Sequence, residues 1–266
     1  MQNATKITAL VYHDIVPGAH YEISGFQSPD ANIYKVDAAE FREHLREIAR
    51  RRGVAVRMDA KLAGNSRPLL LTFDDGGSSA VSHTAEILAE FGWPAHFFVV
   101  TDRIGAPGFL DAEQIRDLRR MGHVVGSHTC SHPSLISRLP DADLMREWRD
   151  SKRRLEDILG EKVEAGSVPE GDCTRRVAAA AAAAGLRFLF TSDPVISIDR
   201  VDGCRVFGRF SVARGTDSRR VGEIVSQRLG LRLGGYLYWN GKKLLRAVFG
   251  PLWLDIRKRI LARRAS

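Results

Sequence analysis

Short apolar runs alternate with longer amphipathic stretches over most of the chain. Ile7–Tyr12, Pro68–Phe73, Pro94–Val100, Gly122–Ser127, Glu164–Val168, Leu186–Thr191 and Arg205–Phe210 read as strands. The second of these, Pro68-Leu-Leu-Leu-Thr-Phe73, is almost wholly apolar, which suits a strand covered on both faces. Between the runs, apolar residues recur at helical spacing. Asp37 and Glu40 form a capping signal ahead of Phe41, Leu45 and Ile48, and Gly53 follows the helix. Val81, Ile87, Leu88 and Phe91 mark the next helix, which ends at Gly92. Further helices are expected over 111–121, 141–159, 175–184 and near 217–229, while 14–36 reads as loop. The alanine run before Gly185 needs only helix propensity to explain it. Strand followed by helix, repeated six or seven times, implies parallel strands joined by crossover helices.

Composition places this pattern in one globular body with a distinct tail. The chain has 266 residues, 44% hydrophobic and 27% charged, enough to bury a core without disulfides. The net charge is +8, and residues 231–266 hold nine basic residues against one acid, Asp255. The remaining 1–230 is formally neutral, which disfavours a globally basic nucleic-acid binder. The sequence therefore divides into a barrel-like domain at 1–230 and a basic, aromatic, amphipathic helical tail at 231–266. Tyr236, Tyr238, Trp239, Phe249 and Trp253 among those charges suit an anionic membrane surface, with a helix packed on the barrel as the rival reading. The three cysteines are widely spaced and form no disulfide framework. No secretory leader or spanning segment is recognisable, so a cytoplasmic protein is expected, with contact to the inner membrane face through the tail.

In parallel α/β barrels the chemistry sits at the C-terminal ends of the strands. His13 follows the first expected strand, and Asp74 and Asp75 follow the second. His128 and His132 follow the run at 122–127, Pro169 and Glu170 the run at 164–168, and Asp193 the run at 186–191. Barrel curvature would gather these ends around one mouth. Two histidines with three residues between them plus one aspartate make a ligand set with open positions for water and substrate. The second aspartate of the pair would be free to accept a proton. Each signal alone has a plainer reading, a capped turn for Asp74-Asp75-Gly76 and a chance pair for the histidines. Their shared position carries the argument.

The segments LLLTFDDGG at 69–77, HTCSH at 128–132 and SVPEGD at 167–172 resemble those of polysaccharide deacetylases of carbohydrate esterase family four. The resemblance spans most of 7–212. It implies a distorted, incomplete (β/α)7-type barrel and metal-dependent removal of acetyl groups from an N-acetylated sugar. It makes Asp74 the catalytic base and Asp75, His128 and His132 the metal ligands, with zinc the usual ion and cobalt or nickel as alternatives. Pro169, Glu170 and Asp193 are the candidate substrate-binding residues.

Two departures stand out. The family carries an arginine two residues before the third-motif proline, paired with the base; here that residue is Ser167. Asp74 must then be oriented by something else. The family's C-terminal acid histidine has no counterpart, because no histidine follows His132. A circularly permuted branch, which deacetylates β-1,6-linked poly-N-acetylglucosamine, carries that histidine near the N-terminus in a Tyr-His-Asp context. LVYHDIV at 10–16 is similar to that segment and makes His13 the candidate general acid. Two alternatives remain at this level: a hydrolase of another non-peptide C–N bond, of deformylase or ureide type, and a carbohydrate-binding domain without turnover.

Overall fold

A computed structural model describes residues 6–59 and 67–227. The tail at 231–266, the domain boundary at 230 and the membrane contact expected there lie outside the described residues.

The strands are β1 (Thr8–Tyr12), β2 (Asp14–Val16), β3 (Lys35–Asp37), β4 (Gly53–Ala55), β5 (Arg67–Phe73), β6 (His96–Val99), β7 (Val124–Ser127), β8 (Ala165–Ser167), β9 (Phe188–Phe190), β10 (Ile198–Val201), β11 (Cys204–Phe207) and β12 (Phe210–Ser211). The α-helices are α1 (Pro29–Asn32), α2 (Ala38–Arg50), α3 (Glu86–Phe91), α4 (Ala112–Arg120), α5 (Asp141–Leu159), α6 (Arg175–Ala183) and α7 (Ser218–Val225). One sheet runs β10-β11-β9-β8-β7-β6-β5-β1-β12, with β4 also on β5, and every pair is parallel except β10–β11. This is the incomplete α/β barrel that the resemblance implies.

Local signals build the elements as expected where they are strong. Asp37 caps α2 by accepting from the Ala39 and Glu40 amides, and Asp111 with Gln114 closes a full capping box on α4. Gly92 and Gly160 end α3 and α5 in the left-handed conformation. Alternate strand residues face two sides. Leu71, Phe73, Phe97 and Val99 pack with helix residues such as Phe41, Leu45 and Ile115, while Leu70, Phe98, Phe190 and Phe207 form a separate cluster. Tyr12, Phe73 and Phe97 stack in series at 5.5 and 5.0 Å between centroids, which ties β1, β5 and β6 into one rigid unit.

The expected loop at 14–36 is corrected. It holds β2, the short α1 and the start of β3, and β2 pairs with β3 in a small two-stranded sheet. These strands have three residues each, too short for a periodic signal. The short strands β4 and β10 were not anticipated either. The expected helix after Gly77 begins with a π-helical stretch, Ala80–Ala85, before α3.

Register fixes the mouth. Tyr12 lies opposite Phe73, so His13 and Asp74 leave neighbouring strands at one level, and the Asp74 amide donates to Tyr12 O at 3.0 Å. Ser127 lies opposite both Val99 and Gly166, and Ser167 opposite Phe190. His128, Ser167 and Asp74 therefore project from the same end of the sheet.

Candidate active site

Three side chains converge on one point. Asp75 Oδ1 lies 3.5 Å from His128 Nε2 and 3.5 Å from His132 Nε2. The ligand atoms of these three residues all fall within 4.8 Å of one another. Asp75 Oδ1 is buried and has no hydrogen-bond partner. An orphaned carboxylate oxygen facing two imidazole nitrogens is what a divalent cation would satisfy. Burial pushes the Asp75 carboxyl up to about 7, a cost that a bound cation would reverse. Desolvation also pushes His128 down to about 3 and lowers His132, so both imidazoles are neutral, as ligation requires. His128 Nδ1 lies 2.8 Å from Ser167 O and donates to it, which leaves Nε2 with its lone pair toward the site.

The loop between the histidines is tightly held. Thr129 and His132 take positive φ, 65° and 59°, which coils the chain so that both imidazoles point inward. Glu147 from α5 grips the loop: its carboxylate accepts from the amides of Cys130 at 2.8 Å and Ser131 at 2.9 Å, and from Ser131 Oγ at 2.7 Å. Cys130 points away, with its sulfur near the backbone oxygens of Arg146 and Glu147, and burial pushes its thiol up to about 11. It stands outside the group of Asp75, His128 and His132.

Asp74 sits beside this group, with Oδ2 3.9 Å from His128 Nε2. Its partner is a residue the sequence reading did not select. Arg209, between β11 and β12, is fully buried and donates to Asp74 Oδ1 at 2.7 Å and Oδ2 at 2.8 Å. It also donates to Ser167 Oγ, Thr72 Oγ1 and Thr191 O at 2.8, 3.1 and 2.9 Å. Ser167 Oγ in turn donates to Asp74 Oδ2 at 3.1 Å. The place left by the missing third-motif arginine is thus filled by Ser167 and by an arginine from the link between β11 and β12. Burial would raise the Asp74 carboxyl, but the Arg209 guanidinium, aided by His128, outweighs it and holds the group well below the usual carboxylate range. Nothing in the sequence distinguishes Arg209 from the other 39 basic residues; only the β1–β12 pairing brings it here.

His13 lies close enough to bear electrostatically on both Asp74 and Asp75. Its ring packs against Tyr34 at a 34° tilt with centroids 4.7 Å apart, and its Nδ1 is buried without a hydrogen-bond partner. Next to it, Asp14 accepts from Ser24 Oγ and from Ser79 Oγ, the latter at 2.7 Å, and joins the first strand to the turn after Asp75. A Cβ on Gly77 would sit 2.0 Å from Asp14 Oδ1, so only glycine allows this approach. Pro169 is buried, and Glu170 takes φ 55° and bears on both Asp75 and His132. Asp193 is turned back on its own loop, where its Oδ2 accepts from Thr191 Oγ1 at 3.0 Å.

A family model described as polysaccharide deacetylase matches residues 61–189, which include both aspartates and both histidines. The chain belongs to the polysaccharide deacetylase family. YxkH of Bacillus subtilis (strain 168), whose name places it among the polysaccharide deacetylases, is 23% identical over 233 residues, covering 84% of this chain and 77% of its own. The chitooligosaccharide deacetylase of Bradyrhizobium sp. (strain ANU 289) is 32% identical over 137 residues, covering 50% of this deacetylase and 59% of that relative. Among solved structures, the Streptococcus pyogenes deacetylase PplD superimposes with a TM-score of 0.71 at 19% identity, over 84% of this chain and 99% of that one. The last likeness is one of fold.

Proposed function

We propose that this deacetylase removes N-acetyl groups from a polysaccharide, an oligosaccharide or a lipid-linked sugar, with zinc as its ion. The observation that carries the reading is Asp75 Oδ1, buried and unpaired, facing two neutral histidines beside an arginine-braced Asp74. Asp75, His128 and His132 would hold the ion. When bound, it would polarise the acetamide carbonyl and lower the pKa of the attacking water toward about 7.

The chain's own residues supply the rest. Arg209 and Ser167 keep Asp74 a carboxylate and fix its plane beside the ligand group, where it is assigned to accept the water proton. His128 spends its Nδ1 proton on Ser167 O and is thereby held in one tautomer and one orientation. His13 is assigned as the general acid that protonates the leaving sugar amine. Pro169, Glu170 and Asp193 are assigned to the rim of the sugar site. Acetate and a free amine result.

The test is acetate and amine release by the zinc-loaded protein from β-1,6- and β-1,4-linked N-acetylglucosamine oligomers. Release that a chelator abolishes and zinc restores supports the proposal, and the better linkage names the substrate. No release from any N-acetylated sugar would contradict it. No helix among the described residues is long and apolar enough to cross a membrane. The cytoplasmic, membrane-touching location is part of the same proposal. Replacing Arg257, Lys258 and Arg259 by glutamine should reduce co-sedimentation with anionic vesicles, and equal pelleting would remove the membrane contact.

A further inference from the structure

Beside the metal ligands stands a cation that the proposed chemistry does not use. Arg103 ends a short turn, Thr101–Arg103, directly after β6. That turn is fastened to the ligand loop: the Thr101 amide donates to Thr129 O at 3.1 Å and the Asp102 amide to Cys130 O at 3.0 Å. Arg103 therefore starts from a backbone as fixed as that of His128 and His132.

Its side chain is held from the other side by aromatic rings. The guanidinium carbon lies 5.4 Å from the centroid of Phe26 and 5.9 Å from that of Phe109. Phe26 and Phe109 meet edge to face at 5.1 Å, and Phe26 touches the His132 ring at 5.4 Å. The loop bearing Phe109 is itself pinned, because Gly108 O accepts from the amides of Gly25 and Ser78. Arg103 is exposed, and the contacts that hold its guanidinium are the rings of Phe26 and Phe109. A guanidinium stacked on rings keeps its in-plane N–H donors free, and that fork matches the two oxygens of a carboxylate or phosphate. Ring packing also removes much of the rotamer entropy that a free arginine would lose on binding.

We propose that Arg103, mounted on Phe26 and Phe109 beside His132, is a subsite for an anionic group of the substrate, a carboxylate or a phosphate carried by the glycan near the scissile acetamide. The proposal rests on the deacetylase reading and narrows its substrate class. Glu170, which also bears on His132, gives the site a charge of the opposite sign. A substrate with a fixed anion would thus bind in one orientation.

Three probes separate the possibilities: a neutral β-1,4 pentamer of N-acetylglucosamine, an N-acetylglucosamine oligomer bearing carboxylates, and N-acetylglucosamine 1-phosphate. The full-length zinc protein is compared with Arg103→Ala and Arg103→Lys. The expected result is a lower KM for one anionic class than for the neutral pentamer. Arg103→Ala should cut the anionic-to-neutral ratio of kcat/KM by about tenfold, the scale of one lost charge-assisted hydrogen bond. Lysine should restore only part of it, and the preference should fade with added salt. The better of the two anionic probes tells carboxylate from phosphate. Equal kcat/KM on all three probes, or an equal loss on all three in Arg103→Ala, would overturn the subsite while leaving the deacetylase reading intact. Calorimetric binding of the same probes is independent of turnover. If no probe yields acetate but the anionic ones bind with an Arg103-dependent affinity, the subsite stands and the proposed reaction falls. If they bind equally to wild type and Arg103→Ala, the subsite falls.

Discussion

The guanidinium of Arg209 meets the carboxylate of Asp74 through two hydrogen bonds, of 2.7 and 2.8 Å, with both groups buried. Asp74 directly follows β5 and Arg209 directly precedes β12, two strands distant in sequence that both pair with β1. Asp74, the base of the proposed reaction, is therefore braced, although the segment expected to brace it holds Ser167. Ser167 shares the arrangement, since its Oγ lies within hydrogen-bond reach of both partners.

The brace can be moved. Arg209→Met leaves a buried Asp74 charge without its partner, which should cost about 3–5 kcal/mol of stability and at least about a hundredfold in kcat. Adding Ser167→Arg to that variant should return the melting temperature and a measurable part of kcat. Denaturation and acetate-release assays on the single and double variants check this. A double variant no better than the single one would show that position 167 cannot deliver a guanidinium to Asp74.

The ligand group makes a prediction that needs no turnover. His132→Ala should abolish the absorption bands of a cobalt-substituted protein, and wild type should melt at a higher temperature with zinc than after chelation. A cobalt spectrum that survives the loss of His132 would mean that the ion sits elsewhere.

Glu147 acts on those ligands through the backbone. Glu147→Gln puts an amide donor against amides that now find a carboxylate, so the loop at 129–131 should loosen. Zinc affinity, measured by competition with a chromogenic chelator, should fall about 10–100-fold, the range for partners behind metal ligands. An unchanged affinity alongside a lowered melting temperature would reduce Glu147 to a structural role.

Much of this was legible before the fold was known. Asp74, Asp75, His128 and His132 follow runs that read as strands, and parallel strands bring their C-terminal ends to one side of the sheet. Arg209 was not legible, because its contact depends on β12 returning beside β1, a pairing of two residues. Glu147 was hidden for a different reason. It is a charged residue on an amphipathic helix, where exposure is the ordinary expectation. The small sheet of β2 and β3 escaped because strands of three residues carry no period.

Away from the site, two buried histidines set the acid limit of the fold. His96 accepts from the Met58 amide at Nε2 and lies 2.9 Å from Leu71 O at Nδ1, and His123 Nδ1 accepts from the Ala95 amide. Both must be neutral to accept, and burial lowers each to about 4 from an ordinary 6.5. Between those values the unfolded chain binds more protons than the folded one, so stability falls as pH drops from 6.5 toward 4. Melting curves of the chelated protein across that range should show the loss, and it should shrink in His123→Gln. A loss from 6.5 to 4 as large in His123→Gln as in wild type would contradict the burial account.

The proposed reaction turns on Asp74. The most direct measurement is acetate release from N-acetylglucosamine oligomers by zinc-loaded wild type and by Asp74→Asn, with the zinc affinity of both measured alongside. The expected result is acetate and free amine from wild type, a loss of at least about a hundredfold in the variant, and zinc affinity within a few-fold. Turnover that persists at the wild-type rate in Asp74→Asn would contradict it.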